Sequence, residues 1–486
     1  MKRRPTTGGT RGGWERDAPT ALRSFTRRGR QFFVAAAESR APGDDGRFFN
    51  EPARFGCYDP HSSHMKILVL GSGGREHALV WKLRQSPRVT ALFCAPGNGG
   101  IARDATCVPI KITDHDALIR FARENAIDLT VVGPDDALAA GIVDRFEAAG
   151  LRIFGPTQSA ARLESSKVFA KDFMQRHGLP TAKSASFDDS REAQKYAQRM
   201  RPPLVVKADG LALGKGVIIA QTAWEAALAI HQIMDQRAFG AAGRRVVIEE
   251  FLEGEECSIH ALVDGRSYLL FPGAQDHKRA LDGDAGLNTG GMGTFSPPAH
   301  LLTPTMEQRV RREILDPFLV GLEKDELDFR GMLFPGLMIT RDGPKLLEFN
   351  CRFGDPETQV LLARLDSDLV ELLDATIDRR LADTQAKWKA ESAVCVVMAS
   401  GGYPGKYETG KPIAGLDAAG RSATVFHAGT RLDGERFLTN GGRVLGVTAL
   451  GADLAAARAR AYDAVARIDF AHAHFRRDIA VKGLPE

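Results

Sequence analysis

The chain has 486 residues, 43% of them hydrophobic and 26% charged, the composition of a globular protein long enough for three or four domains, and no apolar run approaches the ~20 residues of a membrane span. The formal net charge is +4, but Met1 to His64 holds 12 of the 65 basic and 7 of the 61 acidic residues, leaving 53 basic against 54 acidic beyond it, so the body of the chain offers no basic excess for nucleic acid. Six cysteines, Cys57, Cys94, Cys107, Cys257, Cys351 and Cys395, are scattered without a CxxC pair, which excludes a disulfide framework or cysteine zinc site and fits a reducing cytoplasm.

The first 64 residues are rich in Arg, Gly and Pro and weakly periodic. They are expected to form a disordered N-terminal extension, or to reflect a start codon set too early, since Met65 begins a strand directly. Glu15, Asp17, Glu38, Asp44 and Asp45 argue against a transit peptide. HSSH at 61–64 reads as a loop, because no other metal ligands accompany it.

From 65 to 164 strands and helices alternate. Ile67-Leu68-Val69-Leu70 reads as a buried parallel strand. Gly71, Gly73 and Gly74 then allow a turn that brings backbone N–H groups close to a ligand. Taken alone, this turn serves phosphate binding and helix–strand packing equally well. A nicotinamide cofactor is excluded: Glu76 stands at the third fingerprint glycine, and the next strand ends in Ala95-Pro96 without a ribose-binding acid. PGNGG (96–100) and the Gly-Pro turns after DLTVV and RIF gather at the same sheet edge. The expectation is a Rossmann-like, doubly wound α/β domain.

The pattern changes from 165 to 384. SSKVFAKDFMQRHG reads as a helix closed by Gly178, and PLVVKADG, GVIIA, RVVIEEFL and ECSIHALVDG read as strands, with one helix between the second and third. A long loop, FPGAQDHKRALDGDAGLNTGGMG, precedes further helices and a hairpin around Arg341-Asp342-Gly343. KADGLALGKG is not a P-loop, since only three residues separate Gly210 from Gly214, Lys215 precedes Gly216 rather than Ser or Thr, and a strand follows. It reads as a glycine-rich hairpin in which Lys207 offers an ammonium to phosphate oxygens while Gly214, Lys215 and Gly216 fold over them. On KLLEFNCRF, Glu348 and Asn350 share one strand face and offer hard oxygens to Mg²⁺. Arg352 continues that face toward a phosphoryl group. A linker falls near 383–391, and 391–486 reads as a small α+β domain.

In this order, GSGGREHAL, APGNGG, KADGLALGKGV, QDHKR, NTGGMG, EFNCRFGDPETQ and NGGRVLGVTALG resemble the phosphoribosylamine–glycine ligase (glycinamide ribonucleotide synthetase) family of ATP-grasp enzymes, from Met65 to about Lys482. The resemblance implies a substrate domain over 65–164, an ATP-grasp domain over 165–384 with a small mobile subdomain at about 181–252, and a C-terminal domain. It implies ATP-dependent joining of glycine to 5-phosphoribosylamine through glycyl phosphate, the second step of de novo purine synthesis. The enzyme would be a cytoplasmic monomer without nucleic-acid or membrane partners. ATP would meet Lys167, Lys207, Gly214, Lys215 and Gly216; Glu249 and Leu252 would flank adenine, and Glu255 or Glu256 would hold ribose. Glu348 and Asn350 would bind Mg²⁺ or Mn²⁺. Gly73, Gly74, Arg75, Glu76, Asn98, Gly99 and Asp135 would hold the phosphate and ribose of phosphoribosylamine. Asp276, Lys278 and Arg352 would surround glycine and the acyl phosphate, in no fixed order.

Three positions depart from that pattern. Asp135 replaces a longer glutamate, Leu287 stands where proline is common, and FPGLMIT carries no acid for a second metal site. Two rivals remain. A bicarbonate-using ATP-grasp carboxylase is disfavoured by the first domain and the QDHKR loop. A scaffold that has lost catalysis is disfavoured by intact Lys207, Glu348, Asn350 and Arg352.

Overall fold

The computed structural model describes residues 64–211 and 216–485. The expected N-terminal extension, apart from His64, and the residues Gly214 and Lys215 lie outside the described residues.

The first sheet is parallel. It comprises β1 (Met65–Gly71), β2 (Val89–Pro96), β3 (Thr106–Cys107), β4 (Leu129–Val132) and β5 (Ile153–Phe154), in the order β3-β2-β1-β4-β5. Ile67 and Val69 of β1 pack with Ala78, Leu79 and Leu83 of helix α1 (Gly74–Leu83), while Leu68 and Leu70 pack with Leu118, Val132 and Phe146 on the other face. Burial on both faces is why an unbroken apolar run marks this strand; each such side chain contributes roughly 1.5–3 kcal/mol. Strand order reverses between β1 and β4, so the turns after them, at Gly71–Gly74 and Gly133-Pro134, flank the switch point where open α/β sheets bind ligands.

A second, antiparallel sheet has the order β6-β9-β7-β8, from β6 (Ser184–Phe187), β7 (Leu204–Ala208), β8 (Val217–Ala220) and β9 (Val246–Glu250). The expected hairpin joins β7 to β8, with Lys207 opposite Val217. This sheet has its own core around Val206, Ala226, Ile230 and Ile248.

Beyond it lie β10 (Glu255–Ser258), β11 (Ala261–Val263) and β12 (Tyr268–Leu270). The segment expected as a long loop instead contains β13 (Gln275–Asp276), β14 (Arg279–Leu281) and β15 (Ala285–Asn288), and its last residue opens β16 (Gly293–Ser296). The hairpin β17 (Gly331–Thr340) and β18 (Gly343–Asn350) follows, and β10, β11 and β18 all pair with β17. The C-terminal part adds β19 (Ser392–Ala399), β20 (Thr424–His427), a hairpin of β21 (Thr430–Asp433) and β22 (Arg436–Thr439), then β23 (Arg443–Gly451), with the Ala-rich Leu454–Val465 helix packed on β19 and β23.

The fourth sheet runs β13-β16-β19-β23-β20, so two of its strands come from residues 275–296. These strands are two to four residues long, and Phe295 finds its partner, Val394, far along the chain. Local pattern gives no warning of such pairing.

Strict alternation along β18 also breaks. Leu346 and Phe349 sit in one core although three residues apart. The register slips between Gly336 and Leu337 of β17, leaving Leu347 as an extra residue. This bulge keeps both apolar groups in the core and puts Glu348 and Asn350 together on the opposite face from Phe349.

Candidate active site

Four cations converge on Glu348. Burial alone would raise its carboxyl, but Lys278, Lys167, Lys207 and Arg352 hold it below the ordinary glutamate value. They arrive from separate elements. Lys167 opens the Lys167–Arg176 helix and donates from Nζ to the Gly210 carbonyl at 3.1 Å. Lys207 on β7 lies 3.0 Å from Glu249 and 3.3 Å from the Leu347 carbonyl. Lys278, between β13 and β14, pairs with Glu256 at 2.5 Å. Arg352, two residues past β18, pairs with Glu164 at 3.1 Å and donates to Asn350 Oδ1 at 3.1 Å. Burial disfavours the charge on Arg352, yet Glu164, Asp135, Glu357 and Glu348 raise its pKa above the ordinary value. Lys278 is raised likewise, by Glu256, Glu348 and Asp276 against burial.

An ionised carboxylate and an amide oxygen on one strand face fit a hard divalent ion that takes its other ligands from nucleotide phosphates and water. Asn350 Nδ2 donates to the Phe334 carbonyl at 3.2 Å, which turns Oδ1 toward Arg352. Among the described residues no group of three or more His, Cys, Asp or Glu forms an all-protein cage.

Glu249 is deeply buried, and its carboxylate lies between Lys207 at 3.0 Å and Lys171 at 3.2 Å. Sequence reasoning misses Lys171; the available signal was its place one turn after Lys167 on the same helix face. Lys171 Nζ also donates to Thr181 Oγ1 at 2.6 Å. Burial lowers its pKa to about 8, against the pull of Glu249 and with the repulsion of Lys207. Leu252 is half-buried just past β9, and Glu255 and Glu256 are exposed on β10. The Gly216 carbonyl accepts from Ala208 N at 2.8 Å at the base of the hairpin.

Asp276 ends β13. Burial, and then the charge of Glu357, push its carboxyl well above the ordinary value. Burial raises Glu357 too, and its Oε1 accepts from Ser258 Oγ at 3.1 Å. Sequence reasoning assigns no role to Glu357, although it lies inside the EFNCRFGDPETQ block, or to Glu164, which anchors Arg352.

A cavity of about 420 Å³ opens at the carboxyl edge of the first sheet. Ser72, Gly73 and Asn98 form one wall; Thr430, Asn440 and Arg443 from the C-terminal part form the other. Gly73 is the N-cap of α1, so the positive end of that helix opens on the cavity. The expected substrate residues are distributed unevenly. Gly73 and Asn98 reach the wall, but Asn98 staples it: Nδ2 donates to the Ser72 and His427 carbonyls, both at 2.8 Å, and Oδ1 accepts from Gly100 and Ile101 N–H at 2.9 Å. The buried Glu76 carboxylate accepts from Gly73 N–H and Arg75 Nε, each at 2.5 Å, and so caps the helix instead of facing the cavity. Arg75 Nη1 donates to the Phe353 carbonyl at 3.1 Å. Gly74 packs on Gln359, and Gly99 on the Arg431 backbone. Asp135 opens the Asp135–Ala139 helix, and its charge acts on Arg352.

Arg443 brings a cation to the opposite wall, its Nη2 2.8 Å from Asp355 Oδ2. Burial opposes its charge, but Asp355 raises its pKa above the ordinary value. The only sequence signal was an arginine directly after the Gly-Gly turn of NGGRVLG.

The chain matches the phosphoribosylglycinamide synthetase N domain over residues 65–164, its ATP-grasp (A) domain over 165–358 and its C domain over 393–482. The phosphoribosylamine–glycine ligase of Allochromatium vinosum is 54% identical over 424 residues, which span 86% of this chain and 99% of that protein. The one from Ralstonia nicotianae is 51% identical over 421 residues, spanning 86% and 100%. The crystal structure of phosphoribosylamine–glycine ligase from Thermotoga maritima superposes with a TM-score of 0.74 at 33% identity, over 85% of this chain and 100% of that one. A biotin carboxylase from Campylobacter jejuni, at 14% identity and a TM-score of 0.65, shares the fold alone.

Proposed function

Because the chain belongs to the phosphoribosylglycinamide synthetase family, we propose that it joins glycine to 5-phosphoribosylamine with cleavage of ATP, giving glycinamide ribonucleotide, ADP and phosphate in the second step of de novo purine synthesis. The observation that carries this reading is the convergence of Lys167, Lys207, Lys278 and Arg352 on one ionised carboxylate, Glu348. That much positive charge around one carboxylate is suited to a polyphosphate.

Carboxylate oxygen is a poor leaving group and phosphate a good one, so the acid is activated first. A glycine carboxylate oxygen attacks the γ-phosphorus of ATP, the bond from that phosphorus to the bridging β–γ oxygen breaks, and ADP leaves glycyl phosphate behind. The nitrogen of phosphoribosylamine then attacks the acyl carbon, the carbon–oxygen bond to phosphate breaks, and the nitrogen loses a proton. The protein's contribution is positioning and charge stabilisation.

Lys167 and Lys207 hold nucleotide phosphates, and the Lys171–Glu249 pair fixes Lys207. The end of β9, from Glu249 to Leu252, meets the adenine edge through its backbone, and Glu255 or Glu256 holds the ribose. Gly216, with Gly214 and Lys215, covers the phosphates. Arg352, buttressed by Glu164, neutralises the acyl phosphate beside Asp276 and Lys278, which surround glycine. The N-terminus of α1 at Gly73 and Gly74, with Arg443 opposite, takes the 5-phosphate. A divalent ion, Mg²⁺ or Mn²⁺, held by Glu348 and Asn350 would neutralise the phosphate oxygens. The enzyme works as a cytoplasmic monomer on these small molecules.

ADP release is the test. It is expected only when glycine and phosphoribosylamine are both present, with glycinamide ribonucleotide formed in equal amount. ADP release driven by bicarbonate instead, or unaffected by either substrate, overturns the reading.

A further inference from the structure

His77 lies one turn into α1, behind the glycine turn, and is only 5% exposed. It reaches no position assigned to a substrate, yet its ring is bonded on two sides. The backbone N–H of His427 donates to Nδ1 at 2.7 Å. Nδ1 therefore carries the lone pair, and the ring's proton sits on Nε2, 3.3 Å from Asp104 Oδ2. The His427 N–H thus sets which ring nitrogen accepts and which one faces Asp104.

Neither partner lines the 420 Å³ cavity itself, but each lies on a segment that supplies one of its walls. Asp104 ends the segment that begins at Gly97 and Asn98, and it is also paired with Arg84. The His77 hydrogen bond, outweighing burial, holds its carboxyl below the ordinary value. His427 ends β20, and the next three residues, Ala428, Gly429 and Thr430, line the cavity. The His427 ring bonds Thr430 Oγ1 at 3.1 Å and lies so close to Gly100 that a Cβ there would come within 2.3 Å. The His77 ring thus joins the glycine turn of its own helix, the 97–104 segment and the 427–430 segment.

We propose that His77 is a positioning residue for the phosphoribosylamine site, an imidazole whose two ring bonds set the spacing between the phosphate-facing turn of the first domain and the C-terminal wall. This rests on the assignment of the cavity to phosphoribosylamine. Asp104 faces the ring and is itself paired with Arg84, and burial keeps His427 neutral, down to about 3.

Glycinamide ribonucleotide, the product, is a probe of the cavity, and its binding can be measured calorimetrically on the full chain beside that of ATP. His77→Ala removes both bonds and is expected to raise the Kd for the ribonucleotide at least tenfold while leaving that for ATP within twofold. In His77→Asn the side-chain oxygen can replace Nδ1 as acceptor, and affinity should return to within threefold of wild type. In His77→Gln the amide reaches toward Asp104 but leaves the His427 N–H unanswered, and binding should stay weak.

Unchanged binding in His77→Ala, equal loss of ATP, or rescue by Gln and not by Asn would each overturn the proposal. If His77→Ala fails to fold, the Asn–Gln pair decides. A wild-type protein that binds ATP but not the ribonucleotide overturns the assignment of the cavity, and the role of His77 with it.

Discussion

At half-buried Glu348 the neighbouring charges outweigh desolvation, whereas at buried Lys171 desolvation outweighs the neighbouring charges. Four cations keep Glu348 ionised, so Glu348→Gln keeps the shape and removes the charge that they and a metal share. Turnover is expected to fall by roughly 10²–10³-fold, the scale of losing one electrostatic contact to a developing charge. High magnesium should restore part of it, with a melting curve close to wild type; near-normal turnover at low magnesium would remove Glu348 from the metal. Lys171 sits at about 8 rather than 10.5 because it is buried. Between those values the unfolded chain binds the proton that the folded chain has lost, so this group makes stability rise with pH across that window. Below 8 the full cost of burying the charged form is present. Lys171→Met removes this dependence, and the difference between the two unfolding free energies should shift in favour of wild type from pH 8 to 10.5, by up to about 3 kcal/mol. Parallel curves across that range would show that Lys171 keeps its proton.

At the scale of elements, the turn between β1 and α1 separates one substrate from the other. The backbone at Gly73, with φ −88° and ψ −175°, admits any residue. A Cβ there, however, would lie 2.8 Å from Glu76 Oε2. Gly73→Val therefore disturbs the cap at the helix end that faces the cavity. The apparent KM for phosphoribosylamine is expected to rise at least tenfold, with ATP affinity in the absence of the amine unchanged and a melting curve to establish that the first domain is intact. Loss of ATP affinity with phosphoribosylamine spared would place the nucleotide at this turn. The parallel strands were legible because burial on both faces writes an apolar run into the sequence, as at Ile67–Leu70. The pairing of Glu348 with Asn350 was legible from alternation, although the bulge at Leu347 that makes it work was not. β13 and β16 were illegible because two to four polar or glycine-bearing residues carry no periodicity, and their partners lie in a distant segment. Glu76 and Asn98 were read as substrate contacts from their position in glycine-rich motifs. Sequence cannot tell that their polar atoms already serve the turns that hold them.

Over the whole molecule, the family match begins at residue 65, and relatives align over 99–100% of their length with 86% of this chain. A chain begun at Met65 is expected to keep its turnover and melting temperature; a large loss in either would show that the segment supports the enzyme. The opposite end cannot be removed so simply. The covalent linker near 383–391 suggests a place to cut, but β16 is hydrogen-bonded to β19 across it, and β13, which carries Asp276, hangs from β16. A fragment ending before Ser392 would expose a naked strand edge beside the residues assigned to glycine. Such a fragment should be inactive and prone to self-association, and a separately made 391–486 piece should restore activity when mixed with it, as a donor strand does for an incomplete sheet. The boundary that evolution or an engineer can use for fission of this chain therefore lies in the geometry of a shared sheet, and a two-piece enzyme built there would switch on only when its halves meet.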